Sequence, residues 1–214
     1  MATATVESST RQRLLQAAAE VFAEVGYRRA TFRAICQRAG ANNAAINYHF
    51  RDKELLYLEV IERAVAEEDG LPSRAESDPA LPPVEQLRVF IRSILTRLLA
   101  GDAPSRLVKI FSHEMIEPTA GLDVLIQKVV QPLNARLCHL VRQIVGAGPS
   151  ERQIADCSRS IMAQCHLFDH ARVLLARLGE YTVYDAATIE HLVEHITQFS
   201  LEGIRGLGGH EPSA

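Results

Sequence analysis

The chain has 214 residues, 47% hydrophobic and 23% charged, with a formal net charge of −3. A chain of this length buries roughly 70% of its unfolded surface, as one large domain or two small ones, and needs neither disulfides nor metal to fold. No run of about 18 apolar residues is present to span a membrane. The opening MATATVESST lacks a hydrophobic signal core, and the four scattered cysteines (Cys36, Cys138, Cys157, Cys165) include no CxxC pair. The expectation is a cytoplasmic protein with buried thiols, no cofactor and no membrane partner.

The elements follow in chain order. Apolar residues recur at spacings of three and four, and alternating strand patterns are missing, so the fold class is all-α. Leu14, Leu15, Ala18, Val21, Phe22 and Val25 form one stripe after a Ser9/Thr10 cap signal, and Gly26 ends it. Short helices are predicted at about 31–39 and 42–49, and a longer one at about 52–68. Segment 70–83 holds four of the nine prolines and reads as a linker. It separates a domain at 8–68 from one at 69–214.

In the second domain Leu87, Phe90, Ile91, Ile94, Leu95 and Leu98 make a stripe closed by Gly101. A helix at about 105–116 stops before Pro118. One at about 121–146 contains Pro132, which should kink or split it. Helices at about 150–178 and 185–205 follow, the last with Ile189, Leu192, Val193, Ile196, Phe199 and Ile204 on one side. The tail GLGGHEPSA should fray. Residues 161–178 (IMAQCHLFDHARVLLARL) are apolar on nearly every face. In so small a domain that fits a helix covered by its own core on one side and a second subunit on the other. Ser200 and Gly203 on the last helix permit close approach. A homodimer built from the last two long helices is expected.

The net charge hides an asymmetry. Residues 1–53 carry eight basic and four acidic side chains, a sum of +4; residues 54–214 carry 15 and 22, a sum of −7. A basic N-terminal third on an acidic body points to a local nucleic-acid contact. The segment GYRRATFRAICQRAGANNAAINYHFRDKELL, residues 26–56, has the spacing of a helix-turn-helix. Thr31 caps the first short helix, Gly40 makes the turn, Asn42 caps the second, and Ile46 and Phe50 anchor it. Its outer face is then Asn43, Ala44, Asn47 and Tyr48. Asn43 and Asn47 point together, and an Asn amide pairs bidentately with adenine in the major groove. Thr31, Arg33, Asn42, Tyr48, His49 and Lys53 complete the candidate DNA-binding set, mainly as phosphate contacts, which position without specifying.

Gly26, Tyr27, Thr31, Ile35, Cys36, Ala39, Gly40, Tyr48, Phe50, Lys53 and Leu56 stand in the order and spacing of one family's DNA-binding block. On these residues the chain resembles TetR/AcrR transcriptional regulators. It departs from the pattern at Ala30, where Thr is common, at Asn42, where Ser is usual, and at Ala44, where Gly is frequent. The wording AGANNAAINYHFRDKELLY, with QCHLFDHAR at 164–172, is similar to a subset with a CerR-type C-terminal domain. The resemblance implies an N-terminal three-helix DNA-binding domain and a C-terminal helical ligand-binding and dimerisation domain. It implies a dimeric repressor on a palindromic operator of double-stranded DNA, released by a small amphipathic effector.

Polar groups within apolar helical stretches are the effector candidates. They are His113, Cys165, His166, Asp169 and His170, with Phe90, Ile94 and Phe111 as apolar lining. His166 and His170, four apart, also fit a metal-responsive regulator as the alternative. HLVEH at 191–195 matches H-x-x-E-H, a zinc-peptidase pattern with only three fixed letters. The stripe through Ile189, Leu192, Val193 and Ile196 makes His191 and His195 polar flankers instead. No Walker loop, nucleophile elbow or dinucleotide fingerprint is present, so an enzyme is not expected.

Overall fold

A computed structural model of the chain describes residues 2–67, 78–101 and 104–208. Most of the expected linker at 70–83 and most of the tail fall outside the described residues. The described residues form eleven α-helices and one π turn, without a strand. Two compact units result, one of residues 1–69 and 105–130, the other of residues 70–104 and 131–214.

In the N-terminal unit α1 (Ala2–Arg29), α2 (Phe32–Ala39), α3 (Asn43–His49) and α4 (Lys53–Glu67) are joined by α6 (Arg106–Ile116), α7 (Ala120–Leu125) and a π turn (Ile126–Val130). Gly26 breaks α1 with φ 75° and ψ 171°, a backbone that only glycine adopts without strain. The last turn of α1 therefore leaves the helix axis and turns toward α2. Leu14, Ala18, Phe22, Ile35, Ile46, Leu56, Tyr57 and Ile61 fill one core. Phe22 meets Tyr57 edge-on at 4.7 Å, and Tyr27 lies 5.0 Å from Tyr57. Each such aromatic pair adds about 0.5–1.5 kcal/mol beyond the area it buries.

The C-terminal unit contains α5 (Pro83–Leu99), α8 (Gln131–Val145), α9 (Glu151–His170), α10 (Arg172–Arg177) and α11 (Ala186–Gly208). α5 packs against α8, α9 and α11. It buries Leu87, Phe90, Ile91, Ile94, Leu95, Leu98 and Leu99, about half its circumference. Proline at the first position of α5 costs nothing, because that N–H has no partner in any helix. Ser150 and Gln153 form a capping box on α9, and Asp185 Oδ1 accepts the Thr188 N–H at 2.8 Å to start α11. Arg92 reaches Glu190 through two bonds of 2.9 and 2.7 Å, and Arg88 reaches Glu194, which fixes α5 against α11.

Three local features differ from simple periodicity. The helix expected at 121–146 divides around a π turn just before Pro132. Proline lacks an N–H and crowds the carbonyl four residues back, and the wider π turn relieves both. The helix expected at 150–178 breaks at Ala171 (φ −92°, ψ 8°), beside Arg172, which is drawn to the carbonyls of Leu98 and Leu99 at 3.2 and 3.4 Å. Phe199 is 65% exposed rather than part of the buried stripe of α11, whose other members are buried. At 100° per residue it lies at the edge of that stripe, and Thr197, Ser200 and Leu201 are buried beside the stripe instead.

Candidate nucleic-acid interface

Two short helices carry the interface. α2 begins where Thr31 Oγ1 accepts the Ala34 N–H at 3.2 Å. It ends at Gly40 (φ 60°, ψ 39°), where the N–H groups of Gly40 and Ala41 return to the carbonyls of Gln37 and Cys36. α3 begins where Asn42 Oδ1 accepts the Ala45 N–H at 2.8 Å. Each such cap contributes about 1 kcal/mol. The Cys36 thiol reaches Asn42 O at 3.5 Å across the turn. A seven-residue helix does not persist alone in water. α3 persists because Ile46 and Phe50 are buried on its inner face.

The other face is open. Asn43, Ala44, Asn47 and Tyr48 are exposed, Tyr48 at 74%. His49 is half-buried, its ring edge-on to Tyr48 at 5.1 Å. Thr31 and Arg33 at the start of α2 are exposed as well. The sequence-derived readers and phosphate candidates thus share the solvent side of one helix-turn-helix, except for Lys53. Its ammonium donates to the carbonyls of Tyr27 (2.9 Å), Ala30 (3.1 Å) and Arg28 (3.5 Å), and lies 4.4 Å above the Tyr27 ring. Burial lowers its pKa. Lys53 is turned inward and closes the C-terminal end of α1.

Ion pairs thin the positive face further. Arg11 is held by both oxygens of Glu59 at 2.6 and 2.7 Å, and Arg38 by those of Glu24 at 2.7 and 2.8 Å. The bond from Arg38 holds the exposed Glu24 carboxyl below its ordinary pKa. Arg29, Arg33 and Arg51 are exposed without an ion-pair partner among the described residues and remain available to phosphates.

Models of known families match both parts of the chain. The one described as bacterial regulatory proteins of the tetR family matches residues 14–60. The one described as the C-terminal domain of the HTH-type transcriptional dual regulator CecR matches residues 83–204. The chain belongs to the TetR family. Its C-terminal domain is of the CecR type, not the CerR type expected from residues 164–172. The chain is 28% identical over 198 residues to the HTH-type transcriptional dual regulator CecR of Shigella flexneri, covering 87% of each protein. A TetR-like regulator from Rhodococcus sp. RHA1 superposes with a TM-score of 0.65 at 19% identity, over 94% of this chain and 97% of that one. A transcriptional regulator from Saccharomonospora viridis, solved in complex with choline, gives 0.61 at 19% identity, over 90% and 95%.

This TetR-family chain distributes its effector candidates between the two units. Phe111 and His113 belong to α6 of the N-terminal unit; Phe90, Ile94, Cys165, His166, Asp169 and His170 belong to the C-terminal unit. His113 Nε2 lies 3.3 Å from Ala23 O, and its ring fills the space a side chain at Gly26 would need. Cys165 is fully buried, and burial pushes its thiol up to about 12. His166 and His170 stand with rings edge-on at 5.7 Å, and His170 Nδ1 lies 3.0 Å from His166 O. Among the described residues no three His, Cys, Asp or Glu side chains are placed to hold one metal ion, so nothing supports the metal alternative or a zinc site at HLVEH. Glu194 of that motif is taken up by Arg88 and Gln198.

Glu114, next to His113, was not singled out by the sequence. It is 1% exposed. It accepts Tyr57 Oη at 2.7 Å, Thr119 Oγ1 at 2.7 Å and the Thr119 N–H at 2.8 Å. It ties α6 to α4. The signal was present: Leu107, Ile110 and Glu114 lie on one helical face, and a carboxylate on an apolar face requires partners.

Proposed function

We propose that this chain is a homodimeric repressor that reads a palindromic operator through Asn43 and Asn47 and is released by a small molecule bound in its C-terminal unit. The observation that carries the reading is the outer face of α3. Two exposed amides one turn apart, flanked by Ala44, occupy a helix whose inner face is anchored by Ile46 and Phe50. Small residues let such a helix approach the groove, and each bidentate amide–adenine pair discriminates by about 1–3 kcal/mol. Thr31, Arg33, Asn42, Tyr48 and His49 position it on the phosphates.

Dimerisation is supported by apolar side chains left open on α9, α10 and α11. Leu167, Val173, Leu174, Leu178 and Phe199 are each more than half exposed. A side chain at Gly203 would meet nothing within 4 Å, so the helix backbone is accessible there. A two-fold dimer brings two α3 helices to half-sites about 34–36 Å apart. The complex of the Saccharomonospora viridis regulator with choline supports small-molecule control. An effector must bind the DNA-free form better by about 1–3 kcal/mol to weaken operator binding 5–150-fold.

The test is selection of bound sequences from random DNA, followed by gel shift with Asn43→Ala/Asn47→Ala. The expected result is a palindrome bound by the parent chain, with selectivity lost in the variant while helicity and dimer mass stay unchanged. Undiminished selectivity in the variant would remove these two residues as readers.

A further inference from the structure

Buried polar atoms without a partner concentrate in the C-terminal unit. Among the described residues Ser93 Oγ, Arg97 NH1, His166 Nδ1 and Arg172 Nε are sealed from solvent with no hydrogen-bond partner. Ser93 and Arg97 are one turn apart on α5 and fall on the same strip of that helix. Arg172 is brought to the end of the same helix, where its NH2 donates to the carbonyls of Leu98 and Leu99. Its guanidinium lies 4.8 Å from the centre of the Tyr184 ring, which fixes its plane and leaves Nε–H unused.

The other arginines show that this is not a shortage of acids. Arg88, Arg92, Arg142, Arg159 and Arg205 of the same unit all pair with carboxylates, and the unit carries 13 acidic groups against 11 basic ones. Arg97 and Arg172 have no carboxylate partner among the described residues. A sealed guanidinium N–H costs stability while empty and gains most from an acceptor that carries charge. Arg97 in the last turn of α5 and Arg172 on its terminal carbonyls, with Ser93 one turn before Arg97, offer sealed donors, and the one negative charge felt at the Tyr184 ring among the described groups, Asp169, is opposed there by Arg172. This excess of donors favours an oxyanion over a cation. Phe90, Ile94 and Leu98, all buried on the same helix, supply apolar surface beside it.

We infer that the C-terminal unit binds an amphipathic anion, an oxyanion head on an apolar body, with Arg97 and Arg172 as the head-group ligands and Ser93 as a further donor. This names the chemical class of the effector and rests on the proposed effector reading for its regulatory consequence, but not for the binding itself.

The experiment therefore measures binding without DNA. Thermal unfolding of the full chain is followed with octanoate, octylamine or octanol, and repeated for Arg97→Gln. Octanoate is expected to raise the Tm by roughly 5 °C near saturation. Octylamine and octanol of the same chain length should do much less. Arg97→Gln should lose the octanoate shift and, without ligand, melt no lower than the parent, because it replaces an unpaired charge. An equal response to all three probes, no response to octanoate, or an Arg97→Gln chain that melts well below the parent without ligand would each overturn the assignment. Operator binding measured in parallel separates the two readings. An octanoate shift that leaves DNA affinity unchanged keeps the anion site and rejects release by it.

Discussion

Tyr57→Phe is the sharpest test of how α6 is held to the DNA-binding helices. The substitution removes one oxygen. The ring stays in place against Phe22 and Tyr27, so no cavity opens. Tyr57 and Glu114 are each 1% exposed, so water does not replace the lost bond. Glu114 keeps the two donors of Thr119, so the carboxylate is not stranded. What remains is the loss of one 2.7 Å hydrogen bond to a carboxylate, about 1.5–3 kcal/mol. At roughly 2–4 °C per kcal/mol for a chain of this size, the Tm should fall by about 3–12 °C. Glu114→Ala strands the Tyr57 hydroxyl and the Thr119 N–H together and should cost more, about 3–5 kcal/mol. Urea unfolding at pH 7, followed by far-UV circular dichroism, measures both. A Tyr57→Phe loss below about 0.5 kcal/mol, or a Glu114→Ala loss no greater than that of Tyr57→Phe, would refute the reasoning.

Two further outcomes are expected. Lys53→Met should cost about 1–2 kcal/mol, because three carbonyls lose their donor, yet leave the salt dependence of operator binding unchanged; a slope reduced by about 0.9 in log K against log salt would show that Lys53 meets a phosphate after all. His166 has its pKa lowered, first by burial and then by His170, with Asp169 opposing. Its unfolded form takes up the proton first, so stability is present above histidine's ordinary 6.5 and falls as the pH drops below it. His166→Phe should flatten the fall in Tm between pH 7.5 and 5.5, and an unchanged profile would show that His166 does not set it.

The helix-turn-helix and the open face of α3 were legible because their determinants are local. Thr31, Gly40 and Asn42 act within three residues of themselves, and Ile46 and Phe50 repeat at helical spacing, so the exposed face of α3 follows by subtraction. The surroundings of Lys53 were not legible, for the opposite reason. Its partners at Tyr27, Arg28 and Ala30 are more than twenty residues away, and a lysine at a helix start resembles any other solvated cation. Periodicity marked α6 as amphipathic but not the helices it meets, so the packing of His113 against Ala23 and Gly26 was not legible. Arg97 and Arg172 carry no signal in the sequence, because an arginine on a helix is ordinarily paired or hydrated and a sealed N–H depends on tertiary packing.

Magnitudes also decide where an effector signal has to act. Release of an operator needs about 1–3 kcal/mol of coupling. Glu114 alone accepts three bonds, one of them fully buried, from α4 and from the turn before α7, together worth more than that. His113 adds its contact with the last full turn of α1 ahead of Gly26. A ligand that supplies only the coupling energy does not peel α6 away from α1 and α4. Within the N-terminal unit α1, α4 and α6 stay together as one body.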